Sequence, residues 1–292
     1  MITEEKIFRN EDELIKHLSM LAQQNRFVFR GYNKQDQLYP SLIRDSDFSK
    51  EEFEFLKSLE KYGSHYFSAK SSIEFVANGQ HYGLPTRLLD FTFNPFIALR
   101  FALFSAKSNA NYVDEEDKYY YYIRYCDIEE NIHLMSIPIH HCFTFGNYES
   151  NSLFVKTKED FNSFTNNMND IESLNESGYL SGLLDCCATN TEEDAIRQKI
   201  IDKKICFVNP CQSNQRIIMQ QGLFMLPYTL DKKLHMQIIK QNTTVIKIDK
   251  SLRIKLLQYL DTLGYNTFRL MPDLSSICDA IKQEVKDIRQ KK

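Results

Sequence analysis

Apolar positions along the chain follow two rhythms, and each predicts a different element. Leu14, Leu18 and Leu21 recur at the spacing of one helical face. Asn10 with Glu13 three residues later makes a capping-box-like start, so a helix is expected from Asn10 to about Gln24. Ser49 with Glu52 opens a second helix, striped by Phe53, Leu56 and Leu59, and a third is expected over about Ser71 to Asn78, ending before Gly79. The segment Pro95 to Phe104 is apolar nearly all round, with Arg100 its only charge, and such a helix belongs inside the molecule. Asn94 supplies its N-cap, and Pro95 at the first helical position gives up an N–H that would be orphaned anyway.

The other rhythm is extended. "RFVFRGY" (26–32) and the Tyr-rich "KYYYYIRYCDI" (118–128) read as strands on their β-branched and aromatic content. "ICFVNP", "QRIIMQQGLFML" and "TTVIKI" are further strand candidates. Leu252 to Leu263 is an amphipathic helix stopped by Gly264, "FRLMPDL" is expected to be extended, and Asp273 caps a last helix with a basic end. Residues 129–204 lack firm periodicity, apart from a helix at "TNTEEDAIRQKI", and are expected to form a variable insert or subdomain within a single domain spanning 1–292. Helices and strands alternate without a βαβ rhythm. The class is therefore α+β, expected as a mixed, mainly antiparallel sheet with a buried central helix.

Composition narrows this picture a little. With 42% apolar residues, 13% aromatic residues and a net charge of -3, the chain is an ordinary folded protein without a global pull toward nucleic acid, although a local basic groove stays open. No apolar run approaches the roughly 18 residues of a membrane helix, and Met1 to Arg9 lacks the apolar stretch of a signal peptide. Seven cysteines, scattered and odd in number, read as reduced thiols, so a cytoplasmic protein is expected. His140-His141 have no third ligand at metal spacing, and no metal site is expected. Nor is there a Walker loop, a Gly-x-Gly-x-x-Gly or a Gly-x-Ser-x-Gly.

Three segments carry candidate chemistry. In "QHYGLPTRLLDFTFNP" (80–95), the buried helix N-terminus points toward Thr86, Arg87, Asp90 and Thr92. Free N–H groups beside an Arg make an anion site. The alternative is fastening, with an internal Arg87-Asp90 pair and the Asn94 cap satisfying buried polar groups. In Phe29-Arg30-Gly31, an Arg at a strand end can bring a cationic fork to a phosphate or carboxylate, or can simply precede a surface turn. In "RIIMQQGLF" (216–224), Arg216 and Gln220 share one face of a strand, and Gly222 admits a close backbone; the alternative is a plain polar strand face.

Taken together these blocks resemble the FRG domain family, named for its Phe/Tyr-Arg-Gly motif. Gln80 to Ala102 matches its Gln-His-Tyr-Gly-Leu-Pro-Thr-Arg-Leu-Leu-Asp block nearly throughout, with Phe91 at a position often held by Trp. Arg216 to Phe224 and the closing "LMPDL", where Met271 replaces Phe, are similar to later family elements. The resemblance implies that Arg30, His81, Arg87, Asp90, Arg216 and Gln220 meet in one pocket, with Gly31, Thr86, Asn94 and Gly222 supporting a ligand. It leaves two functions open, beside a plain reading in which the blocks only define the fold. One is an enzyme similar to ADP-ribosyltransferases that binds NAD or a related nucleotide. There Arg30 would clamp the dinucleotide, Thr86 and Arg87 would support it, and Gln220 would stand at the late-strand position usually held by Glu. Gln carries no negative charge, so Asp90 would supply the acid. The other is a non-catalytic module that binds a nucleotide, a nucleic-acid end or a protein target, as a sensor or effector in bacterial stress or phage defence.

Overall fold

The computed structural model describes residues 5–44, 51–66, 72–104, 114–127, 132–135, 205–209, 215–227 and 230–274, with Phe48 and a few positions after 274. Eight strands form one sheet: β1 (Glu5–Phe8), β2 (Phe27–Tyr32), β3 (Leu89–Thr92), β4 (Tyr120–Asp127), β5 (Ile132–Met135), β6 (Ile205–Asn209), β7 (Gly222–Pro227) and β8 (Thr244–Asp249). Their spatial order is β1-β8-β4-β2-β3-β7-β6-β5. The two outermost pairs, β1-β8 and β5-β6, are parallel, and every pairing between them is antiparallel. The expected α+β class with a mixed, mainly antiparallel sheet is what the chain forms.

Strand alternation sorts the middle of the sheet into two faces. Phe29, Tyr121, Ile123, Ile246 and Ile248 join one apolar core with three helices, α1 (Glu11–Gln23), α5 (Pro95–Leu103) and α8 (Arg253–Thr262). The intervening residues Tyr32, Tyr122, Arg124 and Lys247 are also buried. There Tyr32 stacks on Tyr122, and Arg124 donates to the Tyr32 hydroxyl and to Thr243. Burial pushes the Tyr32 phenol up to about 12, so the hydroxyl keeps its proton.

The central helix forms as its sequence dictates. Asn94 Oδ1 accepts from the N–H groups of Phe96 and Ile97, and Ile97, Ala98, Leu99, Ala102 and Leu103 are shut off from solvent. Its lone charge, Arg100, is carried outward to Asp261 and Thr267. Helix α5 lies unusually close to β2. A Cβ placed on Gly31 would sit 1.7 Å from the Ala98 carbonyl oxygen. Gly31 is thus required by packing of the helix on the strand, and its missing side chain is filled by backbone rather than left open to a ligand.

Three expectations need correction, and one helix was missed. "QRIIMQQGLFML" is not one strand: Gln215–Met219 form a short helix, α6, and β7 starts at Gly222. "FRLM" is helical rather than extended, because Asn266 caps Thr267–Leu270 (α9) by accepting from the Arg269 N–H. The helix before the glycine continues past it, as α4 (Ser72–His81). Helix α7 (Lys232–Asn242), capped by Asp231, escapes the sequence reading altogether. Ser49, Ser71 and nearly all of 129–204 lie outside the described residues, β5 excepted. No helix among the described residues is long and apolar enough to cross a membrane.

Candidate functional site

Strands β2 and β3 pair at a single register, Phe29 with Thr92, before they diverge. The opening is held by Arg30. Its Nη1 donates to the Asp90 carbonyl at 2.6 Å, where a strand ladder would otherwise continue, and its Nη2 donates to the Gln37 carbonyl at 2.7 Å. Both acceptors are neutral, and the nearest carboxylate oxygen, Asp90 Oδ2, is 4.0 Å away. Burial, with a contribution from nearby Arg44, lowers the Arg30 guanidinium to about 10, so at neutral pH it remains a buried cation.

Two cavities adjoin this opening, of about 350 Å³ and about 300 Å³. They share a wall made by Arg44, Asp90, Phe91, Arg216 and Gln220. The larger continues to Gln80 and His81, over Leu84, Leu88 and Ile217. The smaller continues to Arg30 and Gln37, with Phe101, Phe104 and Met271 as apolar walls. Arg44 ends the short helix α2 (Ser41–Arg44), and its Nε and Nη2 both donate to the Tyr39 carbonyl, again a neutral acceptor. Arg216 and Gln220 reach the wall from α6 and the turn after it. The Gln220 N–H bonds to the Arg216 carbonyl, so a helical spacing replaces the expected strand spacing while keeping both residues on one side.

Several groups here are already committed. Gln220 Nε2 donates to the Leu270 carbonyl at 2.9 Å. Gln220 also stands in a turn, not on a late strand, so the position-by-position ordering expected for an ADP-ribosyltransferase does not hold there. Arg216 Nη1 donates to His81 Nδ1 at 3.3 Å, which fixes the proton of the neutral ring on Nε2. Burial and then Arg216 push the His81 imidazole below its ordinary range. Asp90 is mostly exposed, with 63% of its side chain accessible, and Oδ1 accepts from Gln80 Nε2 at 2.9 Å. Among the described residues lining either cavity it is the only carboxylate.

The sequence cluster around Arg87 divides differently. Arg87 pairs with Glu52, not with Asp90. Nε lies 2.8 Å and 3.0 Å from the two carboxylate oxygens, and Nη2 bonds to Oε2 as well. Both side chains are buried and neither lines the cavities. Thr86 is also internal; its hydroxyl donates to Gln80 Oε1 and accepts from the Leu88 N–H. Asn94 is used up capping α5 and donating to the Tyr265 hydroxyl, which leaves the helix N-terminus no free N–H for an anion there. At Gly222 nothing comes closer than 3.6 Å to an added Cβ, so no close backbone approach depends on it. The structure therefore brings Arg30, His81, Asp90, Arg216 and Gln220 together and leaves Thr86, Arg87 and Asn94 behind them as support. It adds Arg44, Gln80 and Gln37, which the sequence reading passed over. Only Gln80 carried a signal, because it opens the same motif block.

Fold and site together define an α+β protein whose mixed sheet opens between two central strands onto an arginine-lined cleft. The family model of the FRG domain matches residues 25–111, so the chain carries an FRG domain over that span. That span carries Arg30, Arg44, Gln80, His81 and Asp90, whereas Arg216 and Gln220 come from beyond it. Searches of the curated proteins and of the solved structures found no match.

Proposed function

We propose that the cleft binds a phosphate-bearing ligand of the nucleotide class. One observation carries this reading: Arg30, Arg44 and Arg216 line the cleft with a single carboxylate among the described lining residues. Arg30 and Arg44 are held by carbonyls, which orient a guanidinium without cancelling its charge. Oriented guanidiniums favour anions through charge-assisted, often bidentate bonds. The apolar walls beside them suit a base or another flat ring. Titration calorimetry with ATP, ADP, NAD and inorganic pyrophosphate tests the reading. Binding in the micromolar range, weakening as salt rises, supports it; a silent panel with folded protein refutes it.

Asp90 favours a second, catalytic reading. A mostly exposed carboxylate, pinned through one oxygen by Gln80 and set in a cationic cleft, is placed to stabilise positive charge developing on a ribosyl carbon. On that reading the ligand is NAD and the chemistry is ADP-ribosyl transfer or NAD cleavage, with Asp90 supplying the negative charge that Gln220 lacks. Consumption of NAD lost in Asp90→Asn, with NAD binding retained, distinguishes it from the binding module.

A further inference from the structure

The two cavities share one wall, on which Arg44 and Arg216 stand together with Asp90, and apolar side chains lie beyond that wall on both sides. From this we infer that the ligand is bipartite, two ring-bearing halves joined by a diphosphate, as in a dinucleoside diphosphate. The inference rests on the anion-binding reading above and names the ligand class for it.

Each cavity, at about 350 Å³ and about 300 Å³, is at the lower limit for a small-ligand site of roughly 300–1,000 Å³. Neither gives room to spare beyond one nucleoside-sized half. Arg44 and Arg216 are the only arginines common to both linings among the described residues. A bridging diphosphate seated there would meet both guanidiniums at once, while a mononucleotide could reach them from only one side. The ends differ as well. The larger chamber has Leu84, Leu88 and Ile217 with His81, whose Nε2–H is a donor. The smaller has Phe101, Phe104 and Met271 with the buried Arg30 cation. Two unlike ends suit two unlike halves. Joining halves that bind separately makes the second contact intramolecular, which raises affinity without any new bond.

The experiment compares inorganic pyrophosphate, ADP, diadenosine diphosphate and NAD by titration calorimetry, on wild type and on Met271→Trp, which narrows only the smaller chamber. The expected result is that at least one dinucleoside diphosphate binds tenfold or more tighter than ADP. Met271→Trp should bring that compound down to the ADP level while ADP itself, seated in the larger chamber, is unchanged. Equal affinity of ADP and both dinucleoside diphosphates overturns the inference and leaves the anion site standing. So does an equal loss for every compound in Met271→Trp with an unchanged melting temperature. No binding by any compound overturns both. If Met271→Trp fails to fold, Phe104→Trp in the same chamber replaces it, with the same expectations.

Discussion

Removing the Glu52 carboxylate gives the sharpest test of what the signature arginine at position 87 is for. Glu52 is 1% exposed and Arg87 4%, and three nitrogen-oxygen contacts join them across 35 residues of sequence. In Glu52→Ala the guanidinium stays buried without that carboxylate. Breaking such a pair from one side costs about 3–5 kcal/mol, because the desolvation of the surviving charge is no longer offset. For a chain of this size each kcal/mol moves the melting temperature by about 2 °C, so a fall of about 6–10 °C is expected. Replacing both partners by apolar residues, Glu52→Leu with Arg87→Met, should recover most of the loss, since the pair itself contributes little net stability. Differential scanning calorimetry on the four proteins of this cycle reads the values. A Glu52→Ala protein within about 1 kcal/mol of wild type would refute the buried pair, and would return Arg87 to the cleft as a candidate ligand contact.

Other consequences are open to direct measurement. Gly31→Ala must push its methyl into the Ala98 carbonyl, so strand and helix have to part; a loss of about 1–3 kcal/mol or more is expected by urea denaturation. Asn94→Ala removes the acceptor for two N–H groups of α5 and should cost about 1 kcal/mol in the same assay. His81 and His235 both have imidazoles lowered by burial; for His235 burial outweighs the opposing effect of the bond its Nε2 donates to the Leu38 carbonyl. The unfolded chain therefore takes up these protons first. Stability should be full above the ordinary histidine value of 6.5 and should fall as pH drops below it, a loss that His235→Gln should reduce in urea midpoints taken at pH 7.5 and pH 5.

How much of this was legible in the sequence follows from how local each cause is. Asn94-Pro95 and the all-apolar run behind it are contiguous, and α5 formed where they said. Strands β2, β4 and β8 announced themselves through β-branched and aromatic residues. The partner of Arg87 was misjudged because Asp90 is near in sequence, whereas Glu52 is near only in space. Helix α6 was read as strand because Ile217 and Ile218 favour β-structure and nothing local marks a single helical turn ahead of Gly222. Glu5–Phe8 has too few apolar residues to predict a strand, and becomes one by lying parallel to β8. Arg44 carries no motif at all; a four-residue helix and the parting of β2 from β3 make it part of the site. The three motif blocks do meet, yet the meeting separates a cleft-lining edge (Arg30, His81, Asp90, Arg216 and Gln220) from a layer behind it (Thr86, Arg87 and Asn94).

The arginine wall is proposed to be an anion site and not a structural fastening. Arg44→Ala tests it most directly, since Arg44 bonds only one carbonyl among the described residues and faces both chambers. One charged hydrogen bond to a phosphate contributes about 1.5–3 kcal/mol, so affinity for the tightest-binding nucleotide should fall roughly 10- to 100-fold, with the melting temperature of the free protein nearly unchanged. Unaltered nucleotide affinity in a well-folded Arg44→Ala protein would contradict the account.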